Sequence, residues 1–103
     1  MSRAVVVIPC FNEEQRLDAP ALEALARSEE LELVLVDDGS TDGTRATLMA
    51  LAAGSGAIVV IPLDRNRGKA EAVRTGLLHA IDGGADVVAY YDADLSTPPD
   101  ELV

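Results

Sequence analysis

The sequence predicts an α/β fold, a mostly parallel sheet with flanking helices. Two observations predict it. Strand-length apolar runs alternate along the chain with segments whose apolar residues recur at helical spacing. A polar, turn-forming cluster follows each run, where a strand must hand over to a helix. Composition sets the scale. With 103 residues, 49% apolar but only 3% aromatic, the chain is one small domain, or part of one, with an aliphatic core.

Ala4 to Ile8 is a run of apolar, mostly β-branched residues and reads as a strand buried on both faces, ended by Pro9. Asn12 has the character of a helix N-cap, with Glu13 and Glu14 in the first turn and Gln15 placed for a capping box. Leu17, Ala21, Leu22, Leu25 and Ala26 then supply an apolar helical face that runs to Arg27. Leu31 to Val36 is the second strand. A polar turn from Asp37 to Gly43 feeds a second helix carrying Leu48, Met49 and Leu51 to Ala53. Gly54-Ser55-Gly56 breaks that helix, and Ala57 to Ile61 is the third strand.

Gly68 to Ile81 reads as the third helix, with Ala70, Val73, Leu77 and Ile81 at helical spacing. Gly83-Gly84 stops it, and the fourth strand starts at Val87. It runs into Asp92-Ala93-Asp94. Ser96 to Glu101 has the composition of another helix entry, prolines included.

A β-α-β-α-β-α-β order implies parallel strands joined by crossovers. In such sheets every strand-to-helix loop lies at the carboxyl edge, where ligands bind. Those loops hold Pro9 to Glu14, Asp37 to Asp42, Arg65 to Lys69, and Asp92 to Asp94. Nearly every distinctive polar cluster is therefore expected on one edge.

Asp92 and Asp94 are the sharpest of these clusters. An extended chain sends residues i and i+2 to the same side. Two ionised carboxylates about 4 Å apart repel by roughly 4 kcal/mol at an effective dielectric of 20, a cost relieved by a divalent cation between them. A solvated loop pair without metal is the alternative. Asp37-Asp38-Gly39-Ser40 could be only a turn with caps, or could present a carboxylate to a base or ribose hydroxyl. Arg65, Arg67 and Lys69 are three of the chain's eight basic residues. Cations oppose the dipole at a helix N-terminus, so an anionic ligand or nearby acids must account for them. His79 reads as an ordinary mid-helix residue, Cys10 as a small packed side chain, and Tyr90 and Tyr91 as strand packing, with one of them near the mouth of a site.

The formal charge of −10 argues against a nucleic-acid or anionic-membrane surface. Met1-Ser2-Arg3 leads straight into a strand-length run, and no apolar stretch approaches a membrane span. The lone Cys10 excludes an intramolecular disulfide and a thiolate metal cluster. A reducing, cytoplasmic setting is expected, at the membrane face in any longer protein. A dinucleotide dehydrogenase would carry Gly-x-Gly-x-x-Gly after the first strand, and this chain does not. A receiver-type phospho-acceptor domain would carry acids there, where Cys10 and Phe11 stand.

Four motifs together carry a family resemblance. Val7-Ile8-Pro9-Cys10-Phe11-Asn12-Glu13-Glu14, Val36-Asp37-Asp38-Gly39-Ser40-Thr41-Asp42-Gly43-Thr44, Asn66-Arg67-Gly68-Lys69-Ala70 and Asp92-Ala93-Asp94-Leu95-Ser96 resemble family 2 glycosyltransferases. The likeness runs through essentially the whole chain. It is closest to the polyprenyl-phosphate branch, the dolichyl-phosphate glucosyltransferases and dolichyl-phosphate mannose synthases. It implies the Rossmann-like GT-A fold and a UDP- or GDP-sugar donor bound with Mg²⁺ or Mn²⁺. Pro9, Asn12 and Glu14 match the loop bordering the nucleotide, and Asp37 and Asp38 match the acids near base and ribose. Lys69 matches a basic residue facing the nucleotide. Asp92 and Asp94 match the pair that holds metal and diphosphate. Phe11 replaces a frequent tyrosine. The implied acceptor is a polyprenyl phosphate and the implied outcome is inversion.

Family members continue well past the Asp-x-Asp strand, so residues 1–103 are expected to be the donor-binding N-terminal part of such a domain, truncated after that strand. A non-catalytic nucleotide- or metal-binding module, or a half-domain needing a partner chain, is the alternative. A sheet ending at the fourth strand leaves an unpaired edge that invites a homodimer. A sedimentation run showing only monomer at high concentration would remove that expectation.

Overall fold

The computed structural model describes residues 3–28 and 31–91. Seven elements follow in the expected order: β1 (Ala4–Cys10), α1 (Ala19–Ser28), β2 (Leu31–Asp37), α2 (Thr44–Ala53), β3 (Ile58–Pro62), α3 (Lys69–Asp82) and β4 (Val87–Tyr90). All strand pairs are parallel, and the sheet order is β3-β2-β1-β4. The helix entry expected at Ser96 to Glu101 lies outside the described residues.

That order locates a crevice. The chain steps from β1 outward to β2 and β3, then crosses back to place β4 on the other side of β1. The reversal between β1 and β4 is a topological switch point, where loops leave the sheet in opposite directions and open a cleft at the carboxyl edge. The two faces of the sheet are covered separately. Val6, Ile8, Leu33 and Leu35 pack with Leu22, Leu25, Leu48 and Leu51 of α1 and α2. Val5, Val7, Val34 and Val36 pack with Ala72 and Ala80 of α3. Alternate side chains of β1 and β2 thus serve opposite cores, which is why both strands read as unbroken apolar runs.

Three local expectations are corrected. The first strand continues through Pro9 to Cys10, with Pro9 in register with Val36. In a parallel ladder a residue turns its N–H and C=O to one neighbour and the next residue turns its own to the other. The Val7 carbonyl accepts from Tyr91 N on the β4 side, and the Cys10 carbonyl accepts from Asp38 N on the β2 side. Pro9 therefore faces the β4 side, beyond the last β1–β4 pair at Val7 and Tyr90, and its missing N–H costs no bond to β2.

The first helix begins at Ala19, not at Asn12. Asp18 is its N-cap: Oδ1 accepts from Ala21 N at 3.0 Å and the carbonyl accepts from Leu22 N at 3.0 Å. Asp18 followed closely by Pro20 carries this signal in the sequence. Upstream, Glu13 to Leu17 form a short turn closed by the Glu13 carbonyl.

The third helix buries Ala72, Gly76 and Ala80, not the larger residues. Leu77 is only partly covered, and Ile81 is 60% exposed. Gly76 explains the rotation. A Cβ there would lie 2.3 Å from Val7 Cγ1 and 3.0 Å from Val36 Cγ2, so α3 rests on the sheet along its smallest residues. Larger side chains at these positions would hold the helix off the strands.

At the amino edge Arg3 ties the elements together. Its backbone N–H donates to Asp86 Oδ2 at 2.7 Å, and its guanidinium donates to Glu32 and to the Gly83 carbonyl. The hydrogen bond from Arg3 holds the Glu32 carboxyl below the usual range. Among the described residues β4 pairs only with β1, and its Val87 and Tyr90 are exposed. Tyr91, by contrast, is buried in the core beneath α1 and α2.

Candidate nucleotide-sugar site

Three carboxyl-edge loops fall within the described residues, and they are fastened to one another. The first leaves β1 at Cys10, the second leaves β2 at Asp37, and the third leaves β3 at Pro62. The fourth is expected after β4. Asp92 and Asp94, expected there, lie outside the described residues.

Loop one grips loop two. Asn12 stands at φ +50°, a left-handed conformation uncommon outside glycine but tolerated best by Asn and Asp. Its Oδ1 accepts from Thr41 N at 2.8 Å, while its own N–H donates to Ser40 Oγ at 3.0 Å. Glu13 N donates to Thr44 Oγ1 at 2.8 Å. The Glu14 carboxylate accepts from Gly43 N at 2.9 Å, at the start of α2, where a negative charge suits the helix dipole. Asp42 completes the start of α2 by accepting from the Thr44 N–H and hydroxyl, and the hydroxyl bond holds its carboxyl below the usual range. Asn12 and Glu14, expected at the start of the first helix, thus hold the lead-in loop and the start of α2. Donors from that loop compete for them and win.

Loop two grips loop three through two buried acids, Asp37 at 0% and Asp38 at 2% exposure. Asp37 Oδ2 is paired with Arg45 Nε, and its Oδ1 accepts from Ser40 N at 3.2 Å. Arg45 Nη2 also donates to the Leu63 carbonyl at 2.8 Å. The Asp38 carboxylate accepts from Arg67 N at 2.7 Å, Gly68 N at 3.1 Å and Asn66 Nδ2 at 3.2 Å. Gly39, at φ +71°, lies directly beneath Arg65 and Asn66.

The third loop is the basic one. Arg67 pairs with Asp64 at 2.9 Å, and that contact holds the Asp64 carboxyl below the usual range. Exposed Arg65 makes no ion pair among the described residues. Lys69 is exposed at the first residue of α3. Asp64 therefore accounts for the Arg67 guanidinium, while Asp38 holds only the loop's backbone and Asn66, and the exposed Arg65 is left to an anion.

Cys10 ends β1 facing the core. Burial, reinforced by Glu13 and Asp37, pushes its thiol up to about 12. The thiolate is the reactive form. At pH 8 native Cys10 should react with a disulfide reagent roughly a thousandfold more slowly than in the urea-unfolded chain, the ratio of their thiolate populations. Comparable rates in a stopped assay would show that the thiol is accessible and ionised.

Pro9, Asn12, Glu14, Asp37, Asp38 and Lys69 all lie at the carboxyl edge, as the order of elements requires. No three His, Cys, Asp or Glu residues among those described converge as a metal site. No described helix is long and apolar enough to cross a membrane. Asp42, Thr44 and Asn66 were missed as organisers of the edge. Asp-x-Thr at a helix start is a readable capping signal for the first two, whereas nothing local marks Asn66.

Comparison with known proteins agrees with this arrangement. The model of glycosyl transferase family 2 matches residues 5–103. The undecaprenyl-phosphate 4-deoxy-4-formamido-L-arabinose transferase of Sodalis glossinidius (strain morsitans) is 37% identical, over 99% of this chain and 32% of the relative. That of Serratia proteamaculans (strain 568) is 36% identical over the same shares, 99% and 32%. The chain thus spans about a third of the length of these relatives. Among solved structures, the mannosyltransferase PcManGT from Pyrobaculum calidifontis, in complex with GDP-Man and Mn²⁺, superposes with a TM-score of 0.74 at 31% identity, over 89% of this chain and 27% of that one. S. aureus TarS in complex with UDP-GlcNAc superposes with a TM-score of 0.70 at 27% identity, over 89% and 26%. With its parallel sheet, its switch point beside β1 and its matched motifs, the chain belongs to glycosyl transferase family 2.

Proposed function

We propose that this chain is the donor-binding part of a glycosyltransferase that takes a UDP- or GDP-sugar with Mg²⁺ or Mn²⁺ and passes the sugar to a polyprenyl phosphate, with inversion. One observation carries the reading. The loops after β1, β2 and β3 are joined at the carboxyl edge, beside the switch point where β4 leads toward Asp92-Ala93-Asp94. The matched PcManGT holds GDP-Man and Mn²⁺, and the matched relatives are named for undecaprenyl phosphate, a polyprenyl phosphate.

The residues divide the work. Pro9, Asn12 and Glu14 shape the loop bordering the nucleotide. Asp37 and Asp38 build the floor near base and ribose, and Lys69 faces the nucleotide. Asp92 and Asp94 are hard oxygen donors one residue apart, the type Mg²⁺ and Mn²⁺ prefer, and they would hold the metal and, through it, the diphosphate. The metal supplies Lewis-acid stabilisation of the departing diphosphate. In the transfer an acceptor phosphate oxygen bonds to the anomeric carbon as the bond to the nucleoside diphosphate breaks. The acceptor is already anionic, so the chemistry asks for no base. The same proposal places the protein in the cytoplasm, where a membrane face gives access to the lipid acceptor.

Calorimetric titration with UDP and GDP, each with and without Mn²⁺, tests the reading. The wild type should bind one nucleotide in a Mn²⁺-dependent manner, and Asp92→Asn should weaken that binding at least tenfold. Metal-independent binding, or an unaffected Asp92→Asn, removes the metal role. No binding of either nucleotide removes the donor-site reading for this chain.

A further inference from the structure

We infer that Asp38 is a positioning residue, one that sets the basic loop Arg65 to Lys69 and the start of α3 against the end of β1. Its ligand rests on the nucleotide-sugar reading above. Its geometry does not.

Asp38 is fastened on both sides. Its backbone N–H donates to the Cys10 carbonyl at 2.8 Å, which fixes it to the last residue of β1. Its carboxylate reaches across to the third loop and accepts from two consecutive backbone amides, Arg67 and Gly68, and from the Asn66 side chain. Asn66 Nδ2 also donates to the Asp38 carbonyl at 3.2 Å. One residue therefore ties the carboxyl ends of β1 and β2 to the lead-in of α3. The held segment, Asn66 to Gly68, contains Arg67 and runs into Lys69 at the start of α3, with Gly68 turning into the helix at φ +96°.

The residue type matters because a carboxylate accepts on both oxygens and donates on neither. Two N–H donors and one amide NH₂ converge on it, and bonds to an ionised acceptor are the stronger kind. An asparagine would present one acceptor and one NH₂, so one backbone donor would meet a donor. With the residue 2% exposed, water has little room to repair the loss. The basic groups would then sample many positions, and a diphosphate would bind only the fraction already in place.

Amide hydrogen exchange by NMR on the ligand-free chain tests the positioning directly, with affinity for UDP and GDP as the second reading. Asp38→Asn should speed exchange at Arg67 and Gly68 at least tenfold while β1 and β2 keep their protection. Asn66→Ala, at an exposed position, should speed the same two amides severalfold. Both variants should weaken nucleotide binding, and their losses should overlap, with the double variant weaker than wild type by less than the product of the two. Should Asp38→Asn unfold the whole chain, Asn66→Ala decides the matter. Unchanged exchange at Arg67 and Gly68 in the folded variants overturns the inference, even if affinity falls, because Asp38 would then act on the nucleotide alone. If wild type binds neither nucleotide, the donor-site reading fails while the exchange result still decides the positioning.

Discussion

Gly39→Ala should lower stability by about 2–5 kcal/mol and dismantle the joint between the second and third loops. Two costs add. A non-glycine residue at φ +71° carries a penalty of about 1–2 kcal/mol. The new Cβ would also lie 2.3 Å from both Arg65 C and Asn66 N, and 2.8 Å from Arg65 Cα. These are backbone atoms and cannot swing aside as a side-chain tip can. Relief requires the 65–66 segment to move, which pulls Arg67 and Gly68 off Asp38. Forced overpacking of this kind costs about 1–3 kcal/mol. Urea unfolding reads the loss as a lower midpoint at unchanged slope. Gly56→Ala is the control. Its Cβ meets nothing within 4 Å, and the change should stay within about 0.5 kcal/mol. Equal midpoints for the two variants would mean that the loops do not press together as the structure has them.

Arg45→Met should be nearly as damaging. Asp37 is fully buried, with Arg45 as its ion-pair partner and Ser40 N as a second donor. Removing one member of a buried pair costs about 3–5 kcal/mol, because the remaining charge has lost its compensation. Here the Arg45 side chain is itself 41% exposed, so water can follow it in and the lower end, about 3 kcal/mol, is expected. Methionine keeps most of the aliphatic bulk, which isolates the charge effect from a cavity. The Leu63 carbonyl also loses its guanidinium donor. Adding Asp37→Asn to Arg45→Met should recover more than about 1 kcal/mol, since a neutral amide no longer needs the guanidinium. Strict additivity of the two changes would show that the pair does not couple. Such a result would leave Asp37 as a turn residue held by Ser40 alone.

The sequence by itself determined the order of strands and helices, the aliphatic two-sided core and the gathering of polar loops on one edge. Each follows from a local regularity. β-Branched runs such as Val5 to Ile8 can be buried on both faces only in a sheet covered on both faces. Alternating strands and helices force parallel pairing, and parallel pairing puts every strand-to-helix loop at the same end. Four motifs at fixed spacing were enough to place the family. The tertiary structure alone decided what each polar residue holds. Asn12 reads as a helix cap on its own, yet it spends its side chain on Thr41, 29 residues away, and leaves capping to Asp18. Asp38 reads as a turn acid or a ligand contact, and only the fold adds that its oxygens hold backbone amides 29 and 30 residues away. The helix face of α3 was misread for the same reason, because Gly76 matters only once Val7 and Val36 stand opposite it. Periodicity and capping signals are written within a few residues. Pairings between loops depend on which strand lies beside which, and the order β3-β2-β1-β4 exists only in the folded sheet.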